Sequence, residues 1–256
     1  MLIDTHAHLS FKQFDDDRAA GIEGAEKAGV TRVVDVGTNL EVSRQAIALA
    51  EADPRVLATA GFHPHDAEKA TDAALAMLPD LLSHERVVAV GETGLDFFRD
   101  YAPRDLQERV FRHHIHLARD TGLPLVVHSR GAEDEVLDML EVEGGGEVDA
   151  VLHCFGGTAE ASSRAVAMGF FLGFGGTVTY PKSTSVGVAR SIPGDRLLLE
   201  TDCPYLAPQA VRGKRNEPSH VQLVAEFLAD QLGESLDIFS RRVTVNAERF
   251  YKLAPG

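Results

Sequence analysis

The chain has 256 residues, 44% of them hydrophobic and 25% charged, with a formal net charge of −14. This composition fits a globular protein with a large core, and two cysteines, Cys154 and Cys203, without a CxxC pair exclude a disulfide scaffold. The acidic balance opposes tight binding of a polyanion at long range, although carboxylates that hold divalent cations lose their charge locally, and "VRGKRNEP" at 211–218 groups three basic residues.

The chain opens on "MLIDTHAHLSFKQF", which has no basic segment followed by a long apolar one. Neither a signal peptide nor a membrane span is expected, and the cysteine usage points to a reducing, cytoplasmic compartment. Short runs rich in Val, Ile, Leu and Ala then alternate with amphipathic stretches. A strand at 2–8 precedes a helix near 16–28, a strand at 32–37 a helix at 40–52, and a strand at 56–63 a helix at 73–84. The strand at 87–92 leads to the clearest helix, 103–120, with Pro103 in its first turn, Leu106, Val110, Phe111 and Leu117 on one stripe, and Gly122 as a stop signal. Strand 124–129 and helix 131–141 follow, and "EGGGE" at 143–147 reads as a loop. Strand 150–155, helix 158–168, a strand at 170–176 with a tight glycine-rich end, and strand 197–202 complete the series before helices at 218–232 and 235–247. Eight strands in this alternation predict one (β/α)8 (TIM) barrel domain spanning 1–256, a length usual for that fold.

In such a barrel the chemistry collects at the C-terminal ends of the strands, where the βα loops converge. The polar residues fall there: His6 and His8 on the first strand, His63 on the third, Glu92 on the fourth, His128 on the fifth, His153 on the sixth and Asp202 on the eighth. Residues two apart in a strand share a face, so His6 and His8 can both face the mouth, and barrel closure brings Asp202 beside them. Glu92 can bridge to a second ion held by His128 and His153. Four imidazoles and two carboxylates suit Zn²⁺, Mn²⁺ or Fe²⁺ by donor type, and Mg²⁺ less well because it prefers oxygen. A lone histidine ending a strand is more often a hydrogen-bonded structural residue; six candidate ligands at one end of the barrel argue for metal. His113, His114 and His116 do not share one helix face and read as surface or packing residues, as do His84 and His220. Cys154 and Cys203 each follow a candidate ligand and are expected to point away from it as small buried residues.

These residues resemble the TatD family of metal-dependent deoxyribonucleases, within the amidohydrolase-like barrels. The resemblance rests on "DTHAHL" at 4–9, "GFHPH" at 61–65, "GETGLD" at 91–96, "PLVVHSR" at 124–130, "HCFGG" at 153–157, and "ETDCPYLAP" with "RGKRNEP" between 200 and 218. It implies two divalent ions, Mg²⁺, Mn²⁺ or Zn²⁺, one held by His6, His8, Glu92 and Asp202 and the other by Glu92, His128 and His153. It also implies 3′ to 5′ exonuclease action on single-stranded DNA ends, with RNA a further substrate. Ser10, Phe97 and His114 depart from the family pattern, which frequently has Asp, Tyr and Gln there, and bear on substrate preference.

The expected chemistry is phosphodiester hydrolysis, with Asp202 as general base, Glu92 between the ions, and His63, with His65, contacting the phosphate or protonating the leaving group. Arg130 can bind a phosphate through two parallel hydrogen bonds or form a salt bridge at the rim. Glu200 shares the face of Asp202 and can support a histidine ligand. A lysine that would bridge metals in lactonase-like barrels is lacking near Glu92. Hydrolysis of a small ester, lactone or amide is the alternative, and a non-catalytic metal-binding barrel is a third reading; a complete barrel can function as a monomer.

Overall fold

A computed structural model describes residues 1–254. Eight parallel strands run in sequential order: β1 (Leu2–Ala7), β2 (Val30–Asp35), β3 (Val56–Ala60), β4 (Val87–Asp96), β5 (Leu125–Arg130), β6 (Ala150–Leu152), β7 (Phe171–Phe174) and β8 (Leu197–Leu199). Helices α1 (Arg18–Lys27), α2 (Leu40–Ala52), α3 (Asp72–Leu75), α4 (Leu78–Leu82), α5 (Arg104–Thr121), α6 (Glu133–Gly144), α7 (Ala159–Ala167) and α8 (Ser185–Ser191) connect them; α9 (Val221–Leu232) and α10 (Leu236–Phe250) follow. This is the (β/α)8 barrel that the alternation predicts. Among the described residues no helix is long and apolar enough to cross a membrane.

The interior follows from the period of two. Ile3, Val34, Leu57, Val88, Val126, Val151, Phe171 and Leu198, one from each strand, form a buried cluster that Phe250 and Tyr251 of the last helix cover from below. Counting on in twos reaches His63, Glu92, His128, His153 and Asp202 at the other end, so the hydrophobic register itself aims these side chains. The register of β1 with β2 shifts between Asp4 and Ala7, so the parity of Ile3 does not carry to His6; the β3–β4 and β4–β5 registers also shift, between Ala58 and Thr59 and between Val90 and Thr93.

The seam between β1 and β8 is not a full ladder. One bridge, Ala7 to Cys203, joins them, with His8 N–H donating to the Cys203 carbonyl at 2.8 Å and Asp202 N–H to the His6 carbonyl at 2.9 Å. Buried Asp4 completes it, accepting from the Thr201 N–H at 2.9 Å and the Thr201 hydroxyl at 2.6 Å. Burial pushes the Asp4 carboxyl up to about 8.

Four differences from the sequence expectation have local causes. The helix expected at 73–84 is two short ones, with Pro79 in the first turn of α4. Helix α8 was not predicted, because "SVGVARS" is poor in strong helix formers. Strand β4 extends four residues past Glu92 to Asp96. Gly94 lies beyond the expected strand end, and a Cβ on it would collide with the His128 carbonyl, so glycine is what lets β4 lie against β5 there. Strands β6, β7 and β8 stop short of 155, 176 and 202, which leaves His153 and Asp202 on the turns just beyond.

Candidate metal centre

The geometry centres on Glu92, which is 2% exposed and, among the described residues, is the only carboxylate that meets five imidazoles. Its two oxygens face different ways. Oε2 lies 3.4 Å from His6 Nε2 and 3.8 Å from His8 Nε2. Oε1 lies 2.8 Å from His153 Nε2, 3.2 Å from His128 Nδ1 and 3.4 Å from His63 Nε2. Asp202 completes the first group, with Oδ1 3.2 Å from His8 Nε2 and 3.9 Å from His6 Nε2. His6, His8 and Glu92 bring ligand atoms close enough together to share one cation, and so do His63, Glu92 and His128; a third such group, His6, His153 and Asp202, spans the two sides.

The donor set fits divalent metal for a reason independent of spacing. His6 is buried, and neither ring nitrogen has a hydrogen-bond partner, although Nε2 faces both Glu92 and Asp202. Buried polar atoms are nearly always satisfied, so an unpartnered nitrogen facing two carboxylates calls for a cation. The rings of His6 and His153 stack at 3.9 Å, which two protonated imidazoles would resist.

Charges in the site depend on one another. Burial alone would raise the Glu92 carboxyl, but His63, His153 and His6 around it hold it well below the carboxylate range. Asp202 is likewise held down against burial by His8. Burial lowers His63 to about 4, so the ring is neutral near pH 7. His63 Nδ1 accepts from the His65 N–H at 3.1 Å, which leaves the proton on Nε2, the nitrogen that faces Glu92 and the cleft.

The structure brings His6, His8, His63, Glu92, His128, His153 and Asp202 together. His65 stands outside both groups: its Nε2 hydrogen-bonds to Asp96 Oδ2 at 2.7 Å, while its ring lines the cleft. Arg130 lines the cleft as well, exposed, its guanidinium 4.4 Å over the Phe98 ring and in no salt bridge. Glu200 is buried behind His153, with Oε1 3.5 Å from Nδ1, and accepts from the Cys154 N–H. Cys203 is buried as expected. Cys154 is not turned away: β6 has ended before it, its φ of +46° breaks the alternation, and it lines the cleft. Ser10, Phe97 and His114 do not line the cleft, so their expected bearing on substrate finds no support. Ser10 bonds to buried Asp35, Phe97 packs under Arg104, and His114 is a core residue. The basic run at 211–218 divides: Arg212 faces the cleft, while Arg215 pairs with Asp17 at 2.7 Å.

Asp96 escaped the sequence reading. It is fully buried at the end of β4, takes backbone N–H bonds from Phe98 and Arg99, and places Oδ2 3.3 Å from His128 Nε2. A proton held on Nε2 leaves the lone pair of Nδ1 free for a cation on the side of Glu92. The signal was present, since 92 and 96 share a strand face, but only if the strand continues through Gly94.

Comparison with known proteins agrees with this geometry. The model of the TatD related DNase family matches residues 3–252. A *Bacillus subtilis* (strain 168) protein named "Uncharacterized metal-dependent hydrolase YabD" is 42% identical over 254 residues, covering 99% of this chain and 100% of its own. The "3'-5' ssDNA/RNA exonuclease TatD" of *Musicola paradisiaca* (strain Ech703) is 37% identical, covering 98% of each chain. Among solved structures, YJJV, a TatD homolog from *Escherichia coli* k12, superposes with a TM-score of 0.93 at 32% identity, over 99% of this chain and 98% of that one. The chain therefore belongs to the TatD related DNase family and is a metal-dependent hydrolase built on a (β/α)8 barrel.

Proposed function

We propose that this hydrolase removes nucleotides from the 3′ ends of single-stranded DNA, and of RNA, using two divalent ions, Mg²⁺, Mn²⁺ or Zn²⁺. The observation that carries the two-ion reading is Glu92, whose two oxygens face two separate donor sets. In this reading His6, His8, Glu92 and Asp202 hold one ion, and Glu92, His128 and His153 the other. The exonuclease named among the relatives supports the substrate.

Divalent ions in such a pair supply Lewis acidity toward a phosphoryl oxygen and lower the pKa of water toward about 7. The chain supplies the rest. Asp202 Oδ1 is the oxygen nearest His6 and His8, which leaves Oδ2 to take a proton from the attacking water. His63, neutral with its proton on Nε2, donates to a phosphate or leaving-group oxygen, and His65 and Arg130 bind the phosphate from the rim. Asp96 and Glu200 hold His128 and His153 in orientation. Every one of these residues comes from one chain, so a monomer has a complete site. Both cysteines are free thiols, which fits a cytoplasmic location.

The test is turnover of a 3′-labelled single-stranded oligonucleotide by metal-stripped protein, with Mg²⁺, Mn²⁺ or Zn²⁺ restored, beside Glu92→Ala. Mononucleotide release that requires both the ion and Glu92 is expected. Tight metal binding without cleavage of any phosphodiester would move the assignment to a small ester, lactone or amide.

A further inference from the structure

The cleft above the metal centre encloses about 1380 Å³, more than the roughly 300–1,000 Å³ typical of small-molecule pockets. Arginines away from its rim are of two kinds: Arg55, Arg109, Arg164 and Arg215 meet carboxylates at 2.5–2.8 Å, while Arg86 and Arg190 bond to backbone carbonyls. Arg99, Arg130, Lys182 and Arg212 line the cleft and, among the described residues, form no ion pair within 4.0 Å. Unpaired cations converging on one opening of a chain with net charge −14 mark a place where an anion would lie.

The two sides of that rim are not equivalent. The side built by the loops after β3, β4 and β5 mixes Arg99 and Arg130 with Asp66 and Glu133. The side built after β7 and β8, from 177 to 212, brings no carboxylate to the cleft except Asp202 at its floor. On that side the Arg212 guanidinium lies 4.2 Å over the Tyr180 ring, and the Tyr180 hydroxyl donates to the Ala207 carbonyl at 3.0 Å, which fixes the ring. A guanidinium seated over a fixed aromatic ring offers a charge and an aromatic surface together, and Lys182 adds a second cation. Phosphates and bases of a single strand are recognised by that combination.

We propose that Tyr180, Arg212 and Lys182 form an anchor for the part of a single strand that is not being cut, so that the enzyme grips a chain through nucleotides beyond the scissile bond. This rests on the nuclease reading above. It makes the anchor a determinant of chain-length preference: strands that reach it bind well, and a small diester that occupies only the metal centre ignores it.

The test compares wild type, the double variant Lys182→Gln/Arg212→Gln and the single variant Arg212→Lys, each with metal restored. Both positions of change are exposed, so the fold should persist. Binding of a fluorescent oligothymidylate of roughly twelve nucleotides, made cleavage-resistant with phosphorothioate linkages, is read by anisotropy across a salt series. The double variant should bind about tenfold more weakly, and its slope of log K against log salt should be shallower by about 1.4, at ~0.7 per lost contact. Arg212→Lys should keep the slope but lose affinity, because charge remains and the guanidinium over the ring does not. Turnover of bis-p-nitrophenyl phosphate should stay within about twofold of wild type in all variants. Unchanged affinity and slope in the double variant would overturn the anchor while leaving the nuclease reading intact, and an equal loss on the small diester would overturn it by placing these residues in the reacting site. Binding that follows the expected pattern, with no cleavage of an ordinary strand, would uphold the anchor and sink the nuclease reading.

Discussion

The two sides of Glu92 are made by different means. The β1–β8 side is assembled at a seam, from His6 and His8 on one irregular strand and from Asp202, whose φ of +56° places it beyond the β8 ladder. The β4–β6 side is assembled on continuous parallel ladders, which bring Glu92, His128 and His153 into the mouth even though the β4–β5 register shifts between Val90 and Thr93. The first side is held by backbone hydrogen bonds across the seam and by the buried Asp4–Thr201 pair. The second is held by carboxylates behind the ligands, Asp96 behind His128 and Glu200 behind His153. A site built this way should come apart in halves, and only the residue common to both should remove everything.

Glu92→Gln is that substitution. The amide keeps the shape but removes the charge both donor sets share, so kcat/KM on a single strand should fall on the order of 10³-fold or more, and metal analysis of dialysed protein should find neither ion. Retention of one ion would show that the halves do not depend on a common carboxylate. Asp202→Asn should break the seam side alone. One ion should weaken, the other stay, and turnover drop by about 10²–10³-fold while circular dichroism is unchanged. Simultaneous loss of both ions would mean that the halves bind as one unit.

Asp96→Asn sharpens the contrast further, because Asp96 touches no substrate and acts through His128. An amide in its place can donate or accept, so His128 is no longer held with its proton on Nε2. Affinity for the ion of the β4–β6 side should fall about 10–100-fold, and that of the seam side should not move. A uniform effect on both ions would instead assign Asp96 a role in the strand as a whole.

How much of this the sequence disclosed follows the same division. Ligand residues at strand ends were legible because a period of two in apolar residues fixes both the strand and the face, and because His6 and His8 lie two apart. What failed were places where glycine or proline carries two meanings. The strand expected at 87–92 stopped before Gly94, yet β4 runs on through that glycine to Asp96, so the carboxylate behind His128 was hidden. Cys154 was assigned by alternation in a strand that had already ended. Pairings between distant segments, such as Arg212 on Tyr180, left no local mark in the sequence at all.

The smallest effect concerns what supports the loop that carries His63. His114 on α5 is fully buried; its Nδ1 donates to the Val110 carbonyl at 2.7 Å and its Nε2 accepts the Phe62 N–H at 3.0 Å, beside His63. A protonated ring has no lone pair for that N–H, and burial opposes the charge, so the folded-state pKa drops from 6.5 to about 4. Between those values the unfolded chain binds a proton that the folded chain refuses. The stability from this contact is therefore complete above pH 6.5 and is lost as pH falls toward 4, on the order of 1.4 kcal/mol per pH unit from this group. A glutamine in its place presents a carbonyl oxygen to the same N–H and does not titrate. Urea unfolding of His114→Gln across that window should show a shallower fall in stability than wild type, with hydrolysis near pH 7 little changed. Parallel profiles would mean that His114 takes up its proton without leaving the folded state, and that the Phe62 N–H finds another acceptor.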